Sequence, residues 1–366
     1  MAVIEKAKET MTAKTRVLKT FAFEKTDRVP IGYEANPGIH ARLAAALGLP
    51  AGDREALNRA LGVDCRGVGA PYTGPCIFKQ IEGRRINPVE GSYTRRIENA
   101  AGYYEDYCDF PLQDADDDTI AAFPVPDPDD FDLDAVGAQI EKHADFAVFI
   151  GGAGVPDIIN SNGRIMGMED VLVHLLTGNE AALRFIDRRI DMHLKVMERT
   201  LERYGKKIDF MWLGEDLGTQ RAPMISPDLF RRVFRPRHQK FVDLAKAYGL
   251  PVMVHTCGSS SWAYEDFIEM GVSGVDTLQP EAADMSPRYL KEHFGGRLNF
   301  RGCISTGFPL AFGTAEQTRE HVLKTLETMM ECRGYHFAPA HCIQDNSPVE
   351  NVIEMYRAAH RYGVYR

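Results

Sequence analysis

From residue 208 onward the chain repeats one pattern five times: a short apolar run rich in β-branched residues, a turn carrying reactive side chains, then a helix. The runs span 208–213, 250–254, 275–278, 298–300 and 335–338. Helix starts are written between them. Ser226-Pro227 and Ser286-Pro287 pair a capping hydroxyl with proline at the first helical position, Thr314 with Gln317 forms a capping box, and Ser347 with Glu350 caps the last helix. Gly249 and Gly271 close helices. Strands alternating with helices in units of roughly 30 to 40 residues imply parallel strands joined by crossovers. Further runs near 29–33 and 147–150 bring the count to a closed (β/α)8 barrel, an α/β fold, with an N-terminal helical and hairpin extension. A doubly wound sheet would use the same units, but no GxGxxG opens a helix.

The first 140 residues are less regular than residues 141–366, and we read the whole chain as one domain. Residues 15–23 carry helical spacing, and 36–62 are helical in part, with ARLAAALGL ending on Gly48. Residues 72–110 are short alternating segments dense in Tyr, an antiparallel hairpin excursion whose Tyr93, Tyr103, Tyr104 and Tyr107 pack one face of a small sheet or cover a substrate. The acidic, Pro-rich stretch 113–134 is a surface connector; it lacks the Gly and closing Glu of a calcium loop. His321 and His360 read as surface helix residues with no assigned role.

Composition narrows the partners. Of the 366 residues 44% are hydrophobic and 26% charged, as in globular chains. No run approaches the roughly 20 apolar residues of a membrane span, and the polar start lacks a signal-peptide core, so a cytoplasmic protein is expected. A net charge of -9 disfavours nucleic acid and anionic membranes and leaves small molecules and proteins. The seven cysteines form no CxxC pair and no disulfide framework, so thiolates are available as ligands.

In a (β/α)8 barrel the reactive groups sit at the C-terminal ends of the strands. Those ends carry Glu215 and Asp216, His255 and Cys257, Gln279 and Glu281, Cys303, and His341 and Cys342. His255 and Cys257 stand two apart on extended backbone, so both project from one side. An imidazole and a thiolate so placed can close on one Zn²⁺; the structural alternative is a half-buried imidazole beside an apolar core thiol. Tyr33, Trp212 and Gln279 are the candidate substrate contacts.

The segments HTCG, GEDLGTQ, LxFRGCIST and APAHCIQDNSPVENVIEMYRAA resemble the uroporphyrinogen decarboxylase superfamily, over essentially the whole chain and most closely after residue 205. The resemblance implies a TIM barrel and two kinds of member. One is the true decarboxylase, with an Arg-rich RQAGR stretch after the first strand; the other is the zinc-dependent, corrinoid-linked methyltransferase, of methylcobamide:coenzyme M or O-demethylase type, with His-x-Cys and a later third thiolate. This chain has YEANPGIH in place of the Arg-rich stretch, which removes the cations a polycarboxylate needs. The likeness therefore points to a methyltransferase, with a metal-independent decarboxylase as the alternative. It implies zinc on His255, Cys257 and Cys342, with His341 or Cys303 as alternatives for the third ligand. Asp216 or Glu215 would stand behind a ligand or donate a proton, and His341 is a further catalytic candidate. A corrinoid would arrive on a separate protein, since no DxHxxG stretch is present.

Overall fold

Strands covered on both faces must be apolar nearly throughout, and the central strands of the main sheet are. In a computed structural model describing residues 2–99 and 102–366, the strands in chain order are β1 (Cys65–Gly67), β2 (Arg85–Ile86), β3 (Tyr93–Asn99), β4 (Gly102–Cys108), β5 (Ala147–Pro156), β6 (Phe210–Gly214), β7 (Val252–His255), β8 (Gly274–Leu278), β9 (Asn299–Ile304) and β10 (Tyr335–Pro339). Every residue of β6, β8 and β10 is buried. Seven strands form one parallel sheet in the order β1-β5-β6-β7-β8-β9-β10. The five strands from β6 onward are consecutive neighbours, as the repeat requires.

Residues 28–35 join the two edges of this sheet. Gly32 N–H donates to Phe337 O and Phe337 N–H to Pro30 O, each at 2.8 Å, and on the other side Asp64 N–H donates to Ile31 O at 2.9 Å. The segment thus occupies the eighth position and closes the barrel, but as isolated bridges at Ile31 and Ala35 rather than the regular strand expected at 29–33. Pro30 has no N–H to give to a ladder. Nothing in the sequence pattern predicts β1, whose three residues, Cys-Arg-Gly, carry no apolar run.

Two apolar cores result. The larger lies between strands and helices. The smaller fills the lower barrel interior with Val17, Phe21, Ala147, Phe210, Trp212 and Met253. The helix Ala13–Phe21 supplies the plug, with the Phe21 ring 5.3 Å from Phe210 and 5.0 Å from His336.

β3 and β4 form the expected antiparallel hairpin, extended by β2; its turn at 100–101 lies outside the described residues. Its tyrosines do not share one buried face: Tyr93 is buried, whereas Tyr104 and Tyr107 are exposed. The acidic stretch is partly ordered into the helix Asp117–Ala122 and a turn at Pro128–Asp130, each capped by the preceding Asp. Two expectations need correction. The last helix, Val349–Tyr362, follows Pro348, and the hydroxyl of Ser347 has no partner, because the chain enters the helix one residue later than the capping pattern implies. His360 is buried with Nε2 3.0 Å from Leu61 O, and His321 Nε2 accepts from Ser305 N–H at 3.2 Å, so neither is a free surface side chain. Among the described residues no helix is long and apolar enough to cross a membrane.

Candidate metal and substrate site

β7 ends on His255 and turns at once, because Gly258 adopts φ +70°, a conformation open to glycine. A Cβ at Gly258 would stand 2.2 Å from the carbonyl oxygen of Gly218, so glycine here lets the HTCG turn dock on the GEDLG turn after β6. Ser259 N–H donates to Thr219 O at 2.8 Å and seals the contact. Docking carries Asp216 to Cys257: Asp216 Oδ1 accepts the Cys257 N–H at 2.8 Å, and Oδ2 accepts from Asn160 Nδ2 at 2.9 Å.

His255 is oriented from the neighbouring strand. Its Nδ1 lies 2.6 Å from Thr277 Oγ1 and 3.3 Å from Asp276 Oδ2. Asp276 is fully buried and also accepts from Arg301 at 2.5 Å, and Arg301 reaches on to Glu34 at 2.9 Å. Nε2 is left facing Cys257 Sγ at 3.5 Å and Asp216 Oδ1 at 3.7 Å. The ligand atoms of Asp216, His255 and Cys257 lie within 4.8 Å of one another, the one such group among the described residues.

The charges around it are unbalanced. Burial disfavours an imidazolium, yet Asp276, Asp216 and Glu34 outweigh it and hold His255 above its ordinary range. Burial and then the Asp216 carboxylate push the Cys257 thiol far up. Asp216 itself is held low: burial opposes this, but His255 and the Cys257 N–H prevail. Glu215 is raised well above the usual carboxylate range by burial and by Asp157. Asp157 is pushed up to about 6 by burial and Asp216, against the pull of Arg164. A divalent cation at the three ligand atoms would displace the imidazole and thiol protons and balance the Asp216 carboxylate, which is already held low. The donor set, nitrogen, sulfur and oxygen with a carboxylate behind the imidazole, fits zinc.

The other expected site residues are distributed as follows. His341 stands with its ring 6.4 Å from that of His255. Cys342 is half-buried, feels Glu34 and Arg301, and lies outside the three-residue group. Cys303 is buried in the outer core. Glu215 accepts the N–H groups of Ile158 and Ile159 at 2.7 and 3.0 Å and so anchors the helix Ile158–Met166. The side-chain oxygen of Gln279 accepts from Gly258 N–H and from Gln220, which ties down the metal-site turn. Tyr33 and Trp212 line a lumen cavity of about 160 Å³ with Phe149, Phe210, Met253 and Arg301. Arg301 lies over the Trp212 ring at 4.6 Å, and Trp212 Nε1 is buried without a partner.

The uroporphyrinogen decarboxylase (URO-D) family model matches residues 116–362. The chain belongs to that family. No curated protein matches the sequence. Among solved structures, a methyltransferase from Methanosarcina mazei is similar with a TM-score of 0.65, covering 96% of this chain and 99% of that one at 18% identity, a likeness of fold. The span matched to the uroporphyrinogen decarboxylase family holds every polar site residue above except Tyr33 and Glu34, which enter from the segment that closes the barrel.

Asp276, Arg301, Asn160, Asp157 and Glu34 did not figure in the reading of motifs. Asp276 and Arg301 did leave a signal: each is a charged residue inside an otherwise apolar strand, GVDTL and NFRGCI, a placement rare without a partner. Asp157 and Asn160 left none, since VPDIIN reads as an ordinary turn into a helix.

Proposed function

We propose that this member of the uroporphyrinogen decarboxylase family is a zinc-dependent methyltransferase of the cytoplasm. It would move a methyl group between a small molecule of methyl ether, methylamine or thiol type and a corrinoid held by a separate protein. The observation that carries this reading is the paired presentation of His255 Nε2 and Cys257 Sγ, 3.5 Å apart, with Nδ1 of the same ring against a buried carboxylate. That is how a ligating imidazole is oriented and its basicity raised. Zinc bound there would act as a Lewis acid on the heteroatom that carries or accepts the methyl group. Asp276 and Thr277 fix the ring, Asn160 and the Cys257 N–H fix Asp216, and Gln279 holds the turn.

The lumen supports a small substrate. The lumen cavity, whose lining includes Arg301 and Glu34 but none of His255, Cys257 and Asp216, measures about 160 Å³, close to one that accommodates a single benzene ring, roughly 150 Å³, and far from a tetrapyrrole. Of the three arginines lining it, Arg301 is bound by Asp276 and Glu34 and Arg66 by Glu55, which leaves Arg54 alone for a substrate carboxylate. The alternative, a metal-independent decarboxylase with Asp216 as acid and base and His341 on the substrate, draws on the family match and on the raised Asp157 and Glu215. Elemental analysis separates the two. We expect about one zinc per chain, lost from Cys257→Ser and from His255→Ala while both variants stay folded. Methyl transfer should need a separately purified corrinoid protein. A protein without zinc after zinc-replete growth would hand the site to the decarboxylase, and full turnover with no cobalamin present would rule out the corrinoid scheme.

A further inference from the structure

We propose that Asp216, not the thiol of Cys342, is the third protein ligand of the metal, so that the site is His255, Cys257 and Asp216 with a single thiolate. The inference rests on the metal-dependent reading above and refines it.

Two of the three ligand-atom separations are close to those of a tetrahedral site, and all three lie within 4.8 Å. Bonds of about 2.0 to 2.3 Å from zinc to N, O and S put neighbouring ligand atoms roughly 3.3 to 3.7 Å apart. Here Nε2 to Sγ is 3.5 Å and Nε2 to Asp216 Oδ1 is 3.7 Å, so two edges of the polyhedron stand ready. Each ligand is also held in place by a neighbour. Asp276 and Thr277 take the far nitrogen of His255, Asn160 takes the far oxygen of Asp216, and the Cys257 N–H ties Asp216 to the residue that supplies the sulfur.

Cys342 is fastened elsewhere. Its turn after β10 is pinned on one side by Ala340 N–H to Ile304 O at 2.7 Å and on the other by Ile343 N–H to Glu34 O at 2.9 Å, with Asn36 N–H returning to Ile343 O at 2.9 Å. Gln344 Nε2 adds a bond to the Cys342 carbonyl at 2.8 Å. These bonds fix the backbone on both sides of Cys342, whose thiol lies outside the three-residue group. One carboxylate in place of a second thiolate makes the site harder and leaves one coordination position for a group from outside the chain.

The test uses the full chain loaded with Co²⁺ as probe, read by metal stoichiometry and by the thiolate-to-cobalt charge-transfer absorption. No methyl donor is involved. The parent should show a one-thiolate band, unchanged in Cys342→Ser and abolished in Cys257→Ser. Asp216→Cys should keep the metal and raise the band roughly twofold, since a ligand position then carries sulfur. Asp216→Asn should weaken metal binding by more than the roughly 10- to 100-fold that loss of an orienting neighbour costs. A parent band that halves in Cys342→Ser overturns the proposal, as does Asp216→Cys with an unchanged band, metal loss in His341→Ala with none in Asp216→Asn, or no cobalt uptake at all. Should the Asp216 variants misfold, an unchanged band in Cys342→Ser and in Cys303→Ser together with retained metal in His341→Ala leaves Asp216 as the third ligand, and a change in any of the three overturns it. A one-thiolate, Asp216-dependent site in a protein that transfers no methyl group would leave this inference standing and remove the methyltransferase reading. A two-thiolate site in an active methyltransferase would do the reverse.

Discussion

Two clusters of buried charge lie at opposite ends of the barrel, and they are built differently. At the N-terminal end, Arg16 and Arg28 share Asp64, Arg16 also takes both oxygens of Asp27, and Arg28 takes Glu9. Asp64 accepts a further N–H from Ile31, so the cluster ties the plug helix to the segment that closes the barrel. Around the mouth, Glu34, Asp157, Glu215, Asp216 and Asp276 gather about Arg301 and His255; Thr256 Oγ1 and, deeper in the lumen, Trp212 Nε1 are left without partners. Every carboxylate of the first cluster is bonded to an arginine, and the cluster holds the fold. The second leaves Glu215 and Asp216 without a guanidinium beside buried polar atoms that lack a partner, which costs stability and suits a cation and a substrate.

The largest effect should come from breaking the first cluster. Asp64→Asn leaves Arg16 and Arg28 short of their shared carboxylate, and removing one partner of a buried ion pair costs about 3 to 5 kcal/mol. Denaturant unfolding should show that loss with the metal affinity of the folded fraction unchanged. A loss below about 1 kcal/mol, typical of an exposed pair, would erase the contrast.

Next in size is a gain at the mouth. The folded Asp157 titrates near 6, above an unfolded value of about 3.9, so its ionised form is disfavoured in the fold, and the penalty is absent below pH 4 and complete above pH 6. Asp157→Asn keeps a capping side chain and suits the φ of +44°. It should stabilise the protein at pH 7.5 by up to about 3 kcal/mol, with no gain at pH 4. A loss at both pH values would mean that the carboxylate is needed where it stands.

Asp276→Asn should weaken zinc binding by roughly 10- to 100-fold, measured by chelator competition, because the imidazole loses its orienting anion. Unchanged affinity would place Asp276 with the structural charges, as a partner of Arg301 alone. The smallest effect should follow Ser347→Ala. Its buried hydroxyl makes no hydrogen bond, so a thermal melt should show between no change and a gain of about 1 kcal/mol. A clear loss would restore Ser347 as the helix cap.

The acid limb offers one more comparison. His238, His336 and His360 are buried, mainly by desolvation held neutral down to about 4, 3 and 4. The unfolded chain takes up their protons first, near 6.5, so stability should fall as pH drops from about 6.5 toward 4. The contribution of Asp27 is lost only at lower pH, below the usual carboxylate range, because Arg16 and the Thr10 N–H overcome burial to hold it ionised. A flat stability profile between pH 6.5 and 4.5 would contradict the buried neutral imidazoles.

By itself the amino-acid sequence determined the alternation of strands and helices after residue 208, the parallel order of β6 to β10, most helix caps, and the pairing of His255 with Cys257. All of these follow from contacts a few residues apart, where strand and helix periods and capping chemistry act. Tertiary structure alone decided the rest. β1 is strand only because β5 and the 28–35 segment flank it, and the closure of the barrel rests on Ile31 meeting Phe337 across most of the chain. Asp216 reaches Cys257 because two glycine turns from neighbouring units dock backbone to backbone, while Cys342, three residues after the end of β10, stays outside that group, next to Ile343, whose backbone is tied to Glu34 and Asn36. Local period places a residue at the mouth of a barrel, but which side chains meet there depends on how separate turns pack, and that contact energy has no signature in the spacing of any one of them.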